Sequence, residues 1–184
     1  MYRQCTTEKT AMQQKKFQEV LLATMQEHSY QDITITDLCH QTGLSRNIFY
    51  RLFDCKDDVL YAMLDLFFYE CSEHISSDKS KQNLIYFFSF WEKRKDILDI
   101  LEKNQLGPLL STRGTICCCR MDFGMPKYIN ADWNDYQVEI LSFYVSAFVG
   151  LLFSWYHTGF ARSVEEMADI SYALLNQPPI LIQN

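Results

Sequence analysis

Apolar residues recur at helical spacing along most of the chain. Met12, Phe17 and Leu21 follow this spacing between Glu8 and about His28, where we expect a first helix. The same pattern predicts further helices over 56–75, 79–92, 94–104, 132–157 and 164–175. With only 6 glycines and 4 prolines in 184 residues, the chain has little turn chemistry for a many-stranded sheet. We therefore expect an all-α fold.

Two shorter helices are predicted between the first helix and residue 56. Thr34, with Asp37 at the third position beyond it, has the form of a helix N-cap with an acidic partner. The helix that it opens should end near Gly43, because glycine suits the positive φ of a tight turn. Ser45 can then cap a second short helix.

This second short helix, SRNIFYRLF, divides sharply between apolar and polar side chains. Ile48, Phe49 and Leu52 are positioned to pack inward. The polar side chains lie largely on the other side and are Arg46, Asn47, Tyr50 and Arg51. A polar helix face of this kind is most often simply solvated, and so composition alone does not assign it a function.

The later part of the chain has weaker signals for where helices begin and end. The polar run SSDKSKQN marks a boundary, and the segment from Ser111 to Asn130 is expected to be irregular because it holds Gly114, Gly124 and Pro126. Ser163, with Glu166 three residues later, has the form of a capping box for the last helix.

The net charge of −6 is unevenly distributed. Residues 1–56 carry seven Lys/Arg and six Asp/Glu, whereas residues 57–184 carry ten and seventeen. The acidic character therefore belongs to the rest of the chain, and a nearly balanced N-terminal part is compatible with a polyanionic partner without requiring one.

Cysteine use favours a reducing compartment. The 7 cysteines are an odd number, and no secretory signal pattern opens the chain, so we expect a cytoplasmic protein with free thiols. The run Cys117-Cys118-Cys119 could bind a soft metal or respond to oxidant. Its spacing does not resemble a metal site, and we expect no metal and no cofactor.

One stretch without charge raises the question of a membrane. No Asp, Glu, Lys or Arg occurs from Ile140 to Ala161, which is long enough to span a bilayer. Ser142, His157 and Gly159 interrupt it, and no basic cluster flanks it closely. A helix buried at a subunit interface is uncharged for the same reason, and we favour that interpretation.

Two short helices joined by a glycine-containing turn form a helix-turn-helix. The second helix of such a unit fits the major groove of DNA, which is about 12 Å wide. Arg46 can donate a fork of hydrogen bonds to guanine, and Asn47 can pair with the edge of adenine. Tyr50 and Arg51, one turn further, can reach phosphates or the groove floor.

The segment ITITDLCHQTGLSRNIFYRLFDCKDDVLYAM resembles the DNA-binding region of the TetR family of transcriptional regulators. The matching positions are Thr34, Gly43, Leu44, Ser45, Tyr50, Phe53 and Lys56. The resemblance covers roughly residues 12–64, and it departs from the family pattern at Cys55, where a serine cap is usual.

The resemblance implies a role for each matching position. Thr34, Tyr50 and Lys56 would contact the DNA backbone. The residues that would address phosphates or bases are Ser45, Arg46, Asn47 and Arg51. It also implies a helix-turn-helix domain over 1–55 and a helical effector-binding and dimerisation domain over 56–184. The implied function is that of a regulator, in the usual case a repressor, that a small-molecule effector releases from operator DNA.

The C-terminal segment FVGLLFSWYHTGFARSVEEMADISYALL resembles a branch of the family that includes regulators near dihydroxyacetone kinases. In such proteins the last two helices pair with their symmetry mates. An uncharged helix is also too apolar to leave one face in water, and a twofold interface would bury it. The expected dimerisation residues are Tyr144, Phe148, Leu151, Leu152 and Trp155.

Two segments are rich in aromatic residues and could line an effector cavity. The first holds Tyr86, Phe87, Phe88, Phe90 and Trp91, and the second holds Phe123, Tyr128, Trp133, Tyr136, Phe143 and Tyr144. For any single aromatic residue, ordinary core packing is the commoner role.

Two other function classes fit the sequence less well. A TetR-like co-activator acting through a protein partner would suit the nearly neutral N-terminal part. An enzyme is a poor fit, because the sequence contains no Gly-rich phosphate loop, no G-x-S-x-G and no H-E-x-x-H motif.

Overall fold

The computed structural model describes residues 2–3, 7–75, 81–121 and 136–176, and all regular secondary structure in these ranges is helical. The helices are α1 (Glu8–Glu27), α2 (Ile35–Thr42), α3 (Arg46–Leu52), α4 (Lys56–Ser72), α5 (Lys81–Glu92), α6 (Lys95–Lys103), α7 (Gly107–Met121), α8 (Gln137–His157) and α9 (Val164–Asn176). The prediction of an all-α fold is confirmed.

Helix α7 corrects the expectation of an irregular segment after Ser111. It runs without interruption from Gly107 to Met121 and places the cysteine run on a helix. Pro108 lies in its first turn, where a proline breaks no backbone hydrogen bond. Gly114 lies in its interior and is buried by neighbouring helices. Residues 122–130, which belong to the same expectation, lie outside the described residues.

The chain divides into two compact units. Unit 1 comprises Met1–Phe67 with Asp99–Gly107, and unit 2 comprises Phe68–Leu98 with Pro108–Asn184. Helices α4 and α6 are therefore divided between the two units, and α7 belongs to unit 2 except for its first residue. The core of unit 1 includes Phe17, Leu21, Met25, Leu38, Phe49, Phe53, Leu60 and Leu101. The core of unit 2 includes Phe88, Trp91, Leu98, Leu110, Leu152, Trp155 and Ala168.

The start of α9 shows the predicted capping box. The Glu166 N–H donates to Ser163 Oγ at 3.1 Å, and the Ser163 N–H donates to Glu166 Oε2 at 2.7 Å. Two helix-end donors are thereby satisfied within three residues. The preceding turn has positive φ at Gly159 and Phe160, and the Phe160 ring packs edge-on against Trp155 at 4.6 Å.

Helix α8 is, among the described helices, the one that is long and apolar enough to cross a membrane by length and composition. Leu141, Val149, Leu152 and Trp155 on one side of it are buried within unit 2. Phe143, on the opposite side, is exposed, and so is Val138 in the first turn of the helix. Length and composition alone do not separate a spanning helix from one that packs against protein.

Gly114 allows α7 to approach its neighbours closely. A Cβ atom at this position would lie 2.8 Å from both Phe68 Cζ and Val145 Cγ1. Glycine to alanine in a helix ordinarily stabilises by about 0.5–1 kcal/mol, but overpacking a core costs about 1–3 kcal/mol. The steric cost exceeds the helical gain at this site because two side chains would have to move.

We therefore expect Gly114→Ala to lower the free energy of unfolding by about 1–2 kcal/mol net of the helical gain. Urea denaturation followed by circular dichroism measures it. Thr112→Ala, on the exposed side of the same helix, is the control and should change stability by less than about 0.5 kcal/mol. A Gly114→Ala protein as stable as the wild type would show that the close approach is absent.

Candidate nucleic-acid interface

The two short helices of unit 1 are joined as the sequence predicts. Thr34 caps α2 by accepting from the Asp37 N–H at 3.2 Å, and Gly43 ends it with φ of 66°. Ser45 Oγ then accepts from the Ile48 N–H at 3.3 Å and caps α3. The two caps set where α2 and α3 begin, Gly43 sets where α2 ends, and together they produce a helix-turn-helix.

The two sides of α3 have opposite environments. Phe49 and Leu52 are 0% and 3% exposed. The side chains of Arg46, Asn47 and Arg51 are exposed, and Tyr50 is 49% exposed. We call Arg46, Asn47, Tyr50 and Arg51 the exposed face of α3. All four residues that the sequence assigned to this side therefore lie together on the surface.

Aromatic packing holds α3 against α1. The Phe17 ring meets Phe49 edge-on at 5.3 Å and Phe53 edge-on at 5.9 Å, and Phe49 lies 5.4 Å from Phe53. Edge-to-face pairs at these distances add about 0.5–1.5 kcal/mol each beyond area burial. This aromatic cluster of Phe17, Phe49 and Phe53 gives the exposed face of α3 a rigid support.

Two arginines of the exposed face are tethered to neighbouring helices. Arg46 donates through Nη2 to the Thr36 hydroxyl on α2. Arg51 Nη2 donates to Gln13 Oε1 on α1 at 3.0 Å. Each tether uses one of the several N–H groups of a guanidinium, so both arginines retain donors for a ligand.

Thr34 is occupied by its capping role. Its hydroxyl donates to Asp37 Oδ2 at 2.6 Å, and its N–H donates to the same oxygen at 2.9 Å. These two hydrogen bonds hold the pKa of the Asp37 carboxyl below its usual value. Both donors of Thr34 are thus directed at Asp37, and a phosphate would have to compete with that carboxylate for them.

Lys56 is also engaged within unit 1. Its Nζ donates to the Tyr30 carbonyl at 2.5 Å and to the Ile33 carbonyl at 2.7 Å, and it lies 4.2 Å from the centre of the Tyr30 ring. Burial lowers the pKa of this ammonium group. The hydrogen bonds of Lys56 therefore connect the start of α4 to the loop before α2.

Arg3 is a residue of this region that the sequence analysis missed. Its guanidinium donates to the carbonyls of Tyr50 and Arg51 at 2.6 and 2.9 Å, and it pairs with Asp54 at 3.3 Å. A cation at the carboxyl end of α3 stabilises that end of the helix. No sequence pattern points to this contact, because Arg3 precedes the first predicted helix and is 47 residues from Tyr50.

The residues expected at a dimer interface are distributed over different environments in unit 2. Leu152 and Trp155 are 0% and 2% exposed and belong to the chain's own core, where Trp155 packs edge-on against Phe88 at 5.6 Å. Tyr144, Phe148 and Leu151 are half-buried. Burial of Leu152 and Trp155 inside one chain removes them from any surface that a second copy could contact.

A different side of α8 is exposed. Phe143, Ala147, Gly150 and Ser154 follow one another at helical spacing, and all four are exposed. Phe143 is 63% exposed. On α9, Ile170 and Leu174, one turn apart, are 36% and 60% exposed. We call these six residues the exposed α8–α9 residues.

Unit 2 contains a cavity of about 540 Å³ between the end of α4 and one side of α5 along its length. The His74 ring stacks on Tyr86 at 4.8 Å in its wall. The Arg94 guanidinium lies 3.6 Å from the centre of the Phe90 ring and donates to Glu70 at 2.9 Å. The cavity therefore combines aromatic surfaces with charges of both signs.

The other residues of the two aromatic-rich segments have several placements. Phe88 and Trp91 are buried core residues, and Phe87 packs on Phe148 at 5.9 Å. Tyr136 and Phe143 are exposed. Phe123, Tyr128 and Trp133 lie outside the described residues.

The cysteine run carries no metal site in the part of the chain that the structure describes, where no group of three His, Cys, Asp or Glu side chains could hold an ion. Cys117, Cys118 and Cys119 are free thiols, and so are the described Cys39, Cys55 and Cys71. Burial raises the pKa of Cys118 to about 12 and that of Cys71 to about 12. Thiols with these pKa values are poor nucleophiles at neutral pH.

Comparison with known proteins identifies the fold. No protein-family model matches the chain, and no curated protein matches it. The chain is similar to the crystal structure of a TetR transcriptional regulator from Streptococcus agalactiae, with a TM-score of 0.61 and 16% sequence identity. The similarity covers 92% of this chain and 96% of that chain. The chain therefore has a TetR-like fold, as the sequence predicted.

Proposed function

We propose that the chain is a transcriptional regulator that binds double-stranded DNA through the exposed face of α3. The observation that carries the proposal is the division of α3, in which Phe49 and Leu52 are buried and four polar or aromatic side chains are exposed. A helix held by its apolar side on a helix-turn-helix offers the other side to a major groove. The structural similarity to a TetR transcriptional regulator supports the same class.

The chemistry of the exposed face suggests a role for each side chain. Arg46 and Asn47, in the first turn of α3, are proposed to read base edges, as arginine reads guanine and asparagine reads adenine. Tyr50, Arg51 and Ser45 are proposed to contact phosphates. Thr34 and Lys56 are proposed to act mainly by holding α2, its preceding loop and α4 in place, since their donors are engaged within unit 1.

A homodimer follows from the same proposal. Two recognition helices about 34–36 Å apart would fit successive major grooves on one side of a duplex. We propose that the exposed α8–α9 residues form the dimer surface, with the half-buried Tyr144, Phe148 and Leu151 at its margin. Large apolar side chains such as Phe143 and Leu174 lose water contact when a twofold partner covers them.

Phe143→Glu should weaken dimerisation at least about 30-fold, because truncation of a central interface side chain costs about 2 kcal/mol or more and the added charge is unpaired. Sedimentation velocity over a range of protein concentrations measures it. Leu66→Glu, which also replaces an exposed apolar residue on a helix, is the control and should leave the dimer intact. Equal dimer populations in both variants would place the interface elsewhere.

We further propose that the protein is a cytoplasmic repressor. A small-molecule effector would release it from DNA. The cavity beside Tyr86, Phe90 and Arg94 supports this part of the proposal because it could hold a small ligand with both aromatic and polar groups. Release needs an effector that binds the DNA-free state more tightly than the DNA-bound state.

The salt dependence of binding to a duplex of about 30 base pairs tests the proposed function. A protein that neutralises phosphates shows affinity that falls steeply with salt, by about 0.9 in logarithmic slope for each contact. A co-activator that works through a protein partner would show weak binding to the duplex and no such slope. The nearly balanced charge of residues 1–56 is compatible with both functions, and the salt slope distinguishes them.

A further inference from the structure

A groove on unit 1 lies beside the exposed face of α3. It is lined by Glu8, Lys9, Met12, Gln13, Lys16 and Leu44, and we call it the flank groove. Its α1 residues Lys9, Gln13 and Lys16 are separated by four and three positions, and so they share one side of the helix. Leu44 belongs to the turn that joins α2 to α3.

The flank groove is continuous with the exposed face of α3 through one hydrogen bond. Gln13, in the wall of the groove, accepts from Arg51 at 3.0 Å. Arg51 is thereby held at the border between the groove and the exposed face. A molecule that lies along α3 and contacts Arg51 would therefore also lie next to Gln13 and the flank groove.

The charges of the groove favour an anion. Lys9 and Lys16 are both exposed, and among the described residues no carboxylate pairs with either ammonium group. Lys15, one position from Lys16, differs because it pairs with Glu19 at 3.8 Å on another side of α1. Glu8 is the one acidic residue in the lining, and Arg51 at the border adds a third cation.

We propose that the flank groove binds the phosphodiester backbone of the same duplex whose bases the exposed face of α3 reads, with Lys9 and Lys16 neutralising phosphates. This inference rests on the proposed function. Phosphates repeat along the edge of a major groove, and a protein that inserts one helix into the groove places the flanking surface against that edge. Lysine acts there as a point charge without base preference.

The test compares Lys9→Gln/Lys16→Gln with Lys15→Gln. Glutamine keeps helix propensity close to that of lysine, so all variants should melt like the wild type. For each protein, affinity is measured between low and moderate salt on a duplex selected by the wild-type protein and on a scrambled duplex. The logarithmic salt slope of the double variant should fall by about 1.8 per bound protomer, which is about 0.9 for each lost contact.

The ratio of affinities for the selected and scrambled duplexes should stay unchanged in the double variant, because lysine–phosphate contacts carry no sequence information. Lys15→Gln should keep the wild-type slope. A wild-type slope in the double variant would overturn the role of the flank groove while leaving the proposed function in place. If the wild-type protein binds no duplex, the proposed function fails and this inference fails with it.

Discussion

Phe49→Ala should lower the free energy of unfolding by about 3–5 kcal/mol, the range found for removing a buried phenylalanine. Phe49 is 0% exposed and contacts both Phe17 and Phe53, at 5.3 and 5.4 Å between ring centres. Its removal leaves a cavity in the aromatic cluster that holds α3 against α1. Chemical denaturation followed by circular dichroism measures the change.

The neighbouring residue provides the matched control. Tyr50 is 49% exposed on the same helix, and Tyr50→Ala should cost less than about 1 kcal/mol. Tyr50→Ala should stay folded and still bind DNA more weakly, so its DNA affinity should fall without a matching loss of stability. Similar stability losses in both variants would contradict the division of α3 into a buried and an exposed side.

Arg46→Ala and Asn47→Ala should each weaken binding to the preferred duplex by about 5–150-fold, which corresponds to about 1–3 kcal/mol for a bidentate base contact. Each variant should also lose discrimination at one base pair, because the reading group for that position is gone. Gel-shift titration against a panel of single-base-pair variants of the duplex measures both effects.

Arg162→Ala is the control for the loss of a positive charge. Arg162 is exposed and lies in unit 2, far along the chain from α3, and its replacement should leave base discrimination unchanged. A uniform loss of affinity in Arg46→Ala, with the preference at every base pair retained, would assign Arg46 to phosphate and not to a base.

The sequence carried most of the information on unit 1 because the determinants there are local. A threonine cap, a glycine with positive φ and a serine cap each act within three or four residues, and each is found where the pattern places it. The apolar positions of α3 follow one helical period, so the sequence alone predicts the exposed face.

The contacts of Arg3 and Lys56 could not be predicted in the same way. Lys56 reaches the carbonyls of Tyr30 and Ile33, more than twenty residues away, and nothing in its neighbourhood distinguishes such a lysine from one that binds phosphate. A family resemblance transfers the residue but not the direction of its side chain. The direction depends on tertiary packing between α4 and the loop before α2.

Unit 2 shows a second limit of sequence reasoning. Apolar residues occur on every side of α8, so its periodicity does not separate the side that packs on its own chain from the side that is exposed. Trp155 and Leu152 are as suitable for an interface as Phe143 by composition. Helix α7 was missed because Gly107, Pro108 and Gly114 are helix breakers on average, whereas here packing and a first-turn position accommodate them.

Selection of bound sequences from a pool of random duplex DNA tests the central claim most directly. The account predicts enrichment of one inverted-repeat motif, with half-site centres separated by about 10 base pairs or a whole multiple of that helical turn. The same selection with the Arg46→Ala/Asn47→Ala protein should lose the motif. A pool that after repeated selection by the wild-type protein holds no shared sequence would contradict the claim that α3 reads DNA.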